Sequence, residues 1–307
     1  MNHAPSRFHT FETPTTMHHL VLQVPPPSAL DPALVARVAR QLRPASIEPL
    51  DGAGTAPGAH AVRLRDVALD AGEVGRLMPA LADGADWAVL PDALRLRDFR
   101  VLALDMDSTL VSMETIDELG EASGTKAQIA AITEAAMRGE IADYAESLRR
   151  RLALLAGTPQ SVLEQVWSRM QLNPGAEALI GAAKAAGLTV LLATGGFTWF
   201  AERLQRRLGI DRVRANELDI RDGALTGHAI GAIVDGAAKR QALLDTCAEL
   251  GCSPQQAIAI GDGANDLPML GAAGLGVAYH AKPAVRDAAR MALNVCGLDG
   301  VLRVFED

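Results

Sequence analysis

The chain has 307 residues, 49% of them hydrophobic and 4% aromatic, with a formal net charge of −8. This length accommodates two domains with cores rich in Ala, Leu and Val. The acidic balance argues against a nucleic-acid partner, which needs a basic stripe, but leaves room for small anionic substrates met by local cations.

The amino terminus lacks the apolar core of a signal peptide, and no uncharged apolar run of membrane-spanning length follows. A cytoplasmic protein with no membrane partner is expected. Cys247, Cys252 and Cys296 form no CxxC pair, so they read as reduced structural thiols.

Residues 1–17 are polar and read as a disordered tail. His18 and His19 are adjacent, point to opposite faces of a strand, and read as a solvated pair. Residues 18–98 form a small unit. LVLQV is a strand, PALVARVARQL has helical spacing, and SIEPLDG and AHAVRLRD are strands around a Gly/Pro-rich turn. GEVGRLMPALADG is a second helix and DWAVLPD a last strand. The order βαββαβ predicts a ferredoxin-like α+β accessory domain. It holds no catalytic constellation. Either it carries a regulator or a homodimer partner, or it is a spacer.

Over 99–307, the runs VLAL, TVLLA, AIAI, LGVA and ALNVC alternate with helices. This predicts an α/β fold, a doubly wound parallel sheet of the Rossmann type. KAQIAAITEAAMRG, YAESLRRRLALLAG, PQSVLEQVWSRM and PGAEALIGAAKAAG read as helices of an insertion at about 111–186, a cap over the first strand's tip. NELDIRDGALTGHAI, with Asp222-Gly223 in its middle, reads as a β-hairpin at the sheet edge.

The chemistry concentrates at strand tips, where open α/β sheets bind ligands. Asp105 and Asp107 follow VLAL. An isolated DxD also occurs as a cation site or a turn, but it suits phosphoryl transfer. Asp105 attacks phosphorus without prior deprotonation. Asp107 supplies the leaving-group proton and then activates water. Thr194-Gly195-Gly196 ends the second strand and opens a helix, so its amides and hydroxyl can meet a phosphate. Lys239, near a helix start where the dipole disfavours it, neutralises phosphate and Asp105. In GDGANDLPML, Asp262 faces the same crevice and completes an oxygen-only site suited to Mg²⁺. Asn265 and Asp266 orient these groups from behind.

DMDSTL, the Thr-Gly-Gly turn, the lone lysine and GDGAND, in this order, resemble the four motifs of the haloacid dehalogenase superfamily. More narrowly, DMDSTLVSMETIDELG, SLRRRLALLAG, TGGFT and GDGANDLPML are similar to the phosphoserine phosphatase family over about 101–297. The small preceding unit is like that of longer bacterial members. The resemblance implies Mg²⁺-dependent hydrolysis of L-phosphoserine, the last step of serine synthesis. It implies Asp105 as nucleophile and metal ligand, and Asp107 as acid/base and metal ligand through its carbonyl. Asp262 becomes a metal ligand, and Thr194, Gly195 and Lys239 hold phosphate. Most of this family has serine where Thr194 stands, so the hydroxyl is kept and a methyl added.

The match also implies that Glu114 meets the substrate ammonium. For its carboxylate, a forked guanidinium is preferred. At about 100° per residue, Arg151 falls near the face of Leu148, Leu152 and Leu155, as does Tyr144, while Arg150 points away. Arg151 is therefore the expected ligand, with Arg149 and Arg150 solvated or salt-bridged. Met137 packs either against substrate or in the cap core. The alternatives are another small amino-acid phosphate, such as homoserine phosphate, and a catalytically silent amino-acid sensor.

Overall fold

A computed structural model describes residues 18–50, 59–91, 94–138, 140–141 and 143–307; the tail expected over 1–17 lies outside them. The first unit begins with β1 (His18–Gln23) and α1 (Pro32–Leu42). Asp31 caps α1 by accepting the Ala33 amide, Pro32 opens it, and Leu34, Val35, Val38 and Leu42 form its buried stripe. β2 (Ser46–Pro49) and β3 (Ala61–Arg65) follow. Then come α2 (Ala71–Leu81), closed by an Asp70/Glu73 capping box, and β4 (Asp86–Pro91). The strands lie antiparallel in the order β2-β3-β1-β4, the expected ferredoxin-like arrangement.

His19 departs from the sequence reading, because it is fully buried rather than solvated. It lies on the same face of β1 as Gln23, which donates to Gly300 O (3.2 Å) in the 3-10 segment Leu298–Val304 packed there.

The second unit runs from β5 (Val101–Leu104) through α3 (Thr115–Ser123), α4 (Lys126–Met137), α5 (Tyr144–Ala153) and α6 (Ser161–Arg169). α7 (Ala176–Ala185) then returns the chain to β6 (Thr189–Phe197), against which it packs. Next come α8 (Thr198–Leu208), β7 (Arg212–Arg221), β8 (Ala224–Ile230) and α9 (Gly236–Glu249). β9 (Ala257–Gly261), α10 (Leu267–Ala272), β10 (Leu275–Tyr279), α11 (Pro283–Ala288) and β11 (Met291–Leu293) complete it. The strand order is β11-β10-β9-β5-β6-β7-β8, parallel except for β8. Leu102 and Leu104 enter one core and Val101 and Ala103 another, so both faces are covered and the strands read as unbroken apolar runs. β5 lies between β9 and β6, the switch point whose carboxyl end opens a crevice.

The two units share one sheet. β4 pairs with β11 through Trp87 and Ala292. The buried Asp86 carboxylate accepts the amides of Asn294 (2.6 Å), Val295 (3.1 Å) and Cys296 (2.8 Å). This ends the strand expected over ALNVC at Leu293, since the next amides are diverted to a side chain. Arg63, buried, donates to Arg303 O (3.2 Å) and Phe305 O (2.8 Å) and pairs with Glu306 (3.5 Å).

Asp222 (φ 51°) and Gly223 (φ 76°) turn the β7–β8 hairpin at the sheet edge. The hairpin meets the insertion through Gly157 N–H to Leu225 O (2.8 Å), Leu225 N–H to Thr158 O (2.9 Å) and Gln160 N–H to Gly223 O (2.8 Å). Gly227 permits this approach, since a Cβ there would lie 3.2 Å from the Ala153 backbone. Among the described residues, no helix is long and apolar enough to cross a membrane. The three cysteines are free thiols.

Candidate active site

β5 delivers Asp105 to the crevice, and the chain then winds through a π-type turn over Met106–Leu110, closed by Val111 N–H to Met106 O (2.9 Å). Ser108 sits in the left-handed region (φ 56°), and its Oγ donates to Glu114 Oε1 (2.6 Å). Thr115 Oγ1 donates to Asp107 Oδ2 (2.8 Å), while the buried Asp107 Oδ1 has no partner. Asp105 Oδ1 accepts from the Met106 amide (2.7 Å) and from Lys239 Nζ (2.8 Å). Its Oδ2 receives no bond from the described residues.

Lys239 is fully buried near the amino end of α9, where the dipole opposes its charge. Asp105 and Asp266 offset that cost, each with an oxygen 2.8 Å from Nζ. Asp266 Oδ2 accepts the Gly263 amide (3.0 Å), so both its oxygens are engaged. Gly261 is required beside it, because a Cβ there would overlap the Asp266 carboxylate.

Carboxylate oxygens of Asp105, Asp262 and Asp266 lie within 4.8 Å of one another. Asp262 Oδ1 accepts from Thr109 Oγ1 (3.1 Å). With Asp107 and Glu114, these acids crowd around two cations, Lys239 and Arg151, and the imbalance appears in their proton affinities. Burial, then Asp105, pushes Asp262 up to about 7. Burial, then Glu114 and Asp105, holds Asp107 well above the usual carboxylate range. Glu114 is raised by burial and by Asp105, against the Ser108 bond and the Arg151 charge. Added positive charge would favour the entry of a phosphate dianion into such a site. Asp105 and Asp262 bring carboxylate oxygens within 4.8 Å of one another, donors of the kind a hard divalent cation takes, so the residues fit a metal ion.

The Thr194-Gly195-Gly196 stretch lies inside β6, where the pairing with β7 slips between Ala193 and Phe197. Asn216 locks this bulge, its Nδ2 donating to Gly195 O (2.8 Å) and its Oδ1 accepting the Val234 amide (2.8 Å). The expectation that both glycine amides face a ligand needs correction. The Gly196 amide is taken by Thr194 Oγ1 (2.8 Å), and α8 opens only at Thr198. The Thr194 hydroxyl keeps its own proton to donate.

The cap brings Glu114, Tyr144, Leu148 and Arg151 into one cavity with Asp105, Thr194, Gly195, Gly196, Asp262 and Asn265. Its volume of about 110 Å³ suits a small metabolite rather than a drug-sized ligand. Arg150 and Arg149 instead pair with Glu146 on the outer surface, at 2.8 Å and 3.9 Å. Met137 ends α4, and its side chain lies outside the described residues. Tyr144 lies against the bulge: a Cβ on Gly195 would overlap its Oη. Burial pushes that hydroxyl up to about 12, so it remains a donor. Sequence reasoning set Tyr144 only on the helix face of Arg151, and missed Thr115 and Asn216. Thr115 has a signal in hindsight, a hydroxyl at the first position of a helix following the acidic pair.

Residues 102–271 match the family model described as haloacid dehalogenase-like hydrolase. A phosphoserine phosphatase from Polaromonas sp. is 57% identical over 221 residues, covering 70% of this chain and 93% of that protein. The chain is a member of the phosphoserine phosphatase family. A solved structure described as a probable phosphoserine phosphatase from Vibrio cholerae, unliganded, superposes with TM-score 0.76 at 33% identity, covering 94% of this chain and 86% of that one. A phospho-aspartyl intermediate analogue of phosphoserine phosphatase covers 68% of this chain and 99% of its own, with TM-score 0.64 and 34% identity. Every motif residue of the site, from Asp105 to Asp266, falls within the matched segment of this phosphoserine phosphatase family member.

Proposed function

We propose that the chain hydrolyses O-phospho-L-serine to L-serine and phosphate, the last step of serine synthesis in the cytoplasm, through a phosphorylated Asp105. The carrying observation is one small cavity lined by Asp105 together with Glu114 and Arg151. A general phosphatase has no use for that pair; an amino acid's ammonium and carboxylate need both.

In the first displacement Asp105 Oδ2 bonds to phosphorus as the bond to the seryl oxygen breaks. Asp107 gives its proton to that oxygen, and its raised proton affinity suits the acid role. Lys239, paired with the Asp105 carboxylate at 2.8 Å, holds the phosphoryl oxygens with Thr194 and Gly195. In the second displacement water attacks phosphorus, Asp107 takes its proton, and Asp105 is released. Asp105, Asp262 and the Asp107 carbonyl would hold Mg²⁺, which offsets phosphate charge when bound. Asn265 meets substrate at the rim, and Asp266 fixes Lys239. The closed cap keeps bulk water from the ester until serine has left.

The test is rapid quenching with ³²P-labelled L-phosphoserine, alongside phosphothreonine and homoserine phosphate. Label should appear on the wild-type protein and be absent from Asp105→Asn, whose turnover should fall at least about 10³-fold. Turnover retained by Asp105→Asn would refute the nucleophile, and faster homoserine phosphate hydrolysis would reassign the substrate.

A further inference from the structure

The chain leaving the cap meets the catalytic turn along Gln171, Leu172 and Asn173. Ser112 N–H donates to Gln171 O (3.0 Å), Val111 and Leu172 form an isolated antiparallel bridge, and Asn173 N–H donates to Leu110 O (3.0 Å). The Asn173 side chain joins the same turn. Its Nδ2 lies 2.8 Å from Thr109 O, 3.2 Å from Ser108 O and 3.2 Å from Val111 O. One residue thus donates to four successive carbonyls, two side-chain hydrogens being shared among three of them.

The first of those carbonyls belongs to Ser108, the residue after Asp107 and the one in the left-handed region. A serine keeps that conformation only where its surroundings over-determine it. Here the Ser108 amide goes to Met113 O (3.1 Å), its hydroxyl to Glu114 and its carbonyl to Asn173. Asp105 is held by the buried Lys239, which Asn173 does not touch, as well as by the Met106 amide. The nucleophile therefore has a support, Lys239, that lies outside the turn carrying the acid.

We propose that Asn173 is a positioning residue for proton transfer: it holds the turn over 108–111 so that the Asp107 carboxyl keeps its place in the cavity lining, without itself touching substrate. This rests on Asp107 being the general acid. In the step it serves, the proton passes from Asp107 Oδ1 to the seryl oxygen while that oxygen's bond to phosphorus breaks and the Asp105–phosphorus bond forms. No further reactant is needed.

The experiment compares single-turnover rates of the full chain with Mg²⁺ on two substrates. L-Phosphoserine expels an alkoxide that needs the proton, whereas acetyl phosphate expels acetate, which does not. Asn173→Ala should slow serine release at least about 10-fold and acetate release by less than about 3-fold, part of the usual general-acid contribution. The ratio of the two rates in one sample is independent of the folded fraction. Should the alanine variant fail to fold, Asn173→Ser, which keeps one donor, should shift the ratio in the same sense. Asp107→Asn must shift the ratio strongly, and its failure to do so would overturn the acid reading itself. A shift for Asp107→Asn with equal slowing of both substrates in the Asn173 variants would overturn this proposal alone.

Discussion

Arg150 pairs with Glu146 at 2.8 Å on the cap's outer surface, whereas Arg151, one residue on, lines the cavity with Glu114. The helical rotation that separates them was readable from the leucine spacing, because a face buried on its own core needs only local sequence to define it. Arg151→Ala should raise KM for L-phosphoserine by about 10–100-fold, the size of a charge-assisted bond. It should change KM for phosphoethanolamine, which lacks the carboxylate, by less than about 3-fold. Steady-state kinetics on the two substrates check this. Asp262 carries the metal counterpart. Since its folded pKa lies near 7 rather than at the ordinary carboxylate value near 4, a cation must displace its proton below pH 7. Mg²⁺ affinity should therefore weaken from pH 8 to pH 6, with protons released on binding, as titration calorimetry in two buffers would record. Without metal, the raised pKa means the folded state holds a proton the unfolded state lacks between about pH 4 and 7. This group's contribution to stability is then full below about pH 4 and is lost as pH rises to 7. Asn216 and Asn173 were not legible at this scale. Their partners are backbone carbonyls on other segments, and an asparagine in a chain says nothing about which turn it will reach.

β6 illustrates what an element adds. Its apolar run Thr189–Ala193 was legible as a strand because both faces are covered, but the reading stopped at the glycines. The strand continues to Phe197 through a bulge that Asn216 pins from β7, a distant partner that no local pattern reveals. Gly195 is small because the cap's Tyr144 rests on it. Gly195→Ala should keep the cap from seating and lower kcat/KM by about 10-fold or more, comparable to overpacking a well-filled core. Adding Tyr144→Phe removes the overlapping oxygen and leaves the ring carbon 3.0 Å from the new methyl. The double variant should recover part of the loss, a coupling that a double-mutant cycle measures. The hairpin's turn was legible, because Asp222-Gly223 states its chemistry in two adjacent residues, though β7 begins at Arg212 rather than Asn216. α3 is not legible in the sequence, since its first turn reads as a continuation of the catalytic loop.

Over the whole molecule, the βαββαβ order of residues 18–98 was legible in the sequence, and in the second unit the alternation of strands and helices was legible apart from α3. What the sequence could not anticipate was the seam. Asp86 ties three amides of 294–296 to β4 across more than 200 residues of chain, a match visible only once both units are folded. Asp86→Ala should lower unfolding free energy by roughly 2–4 kcal/mol, since the buried Cys296 amide and the part-buried amides of Asn294 and Val295 lose a charged acceptor. Urea unfolding would read this, while turnover per folded molecule at 25 °C should stay within about 2-fold.

The hairpin's grip on the insertion has a mechanical corollary. A lid swinging clear to admit a fresh ester must either snap the main-chain bonds at Gly157, Gln160 and Leu225 or carry β8 with it as an outrigger. In the second case the rim of the sheet rides with each opening, and the pivot lies between β7 and its parallel neighbour rather than in the two strands of chain entering and leaving the lid.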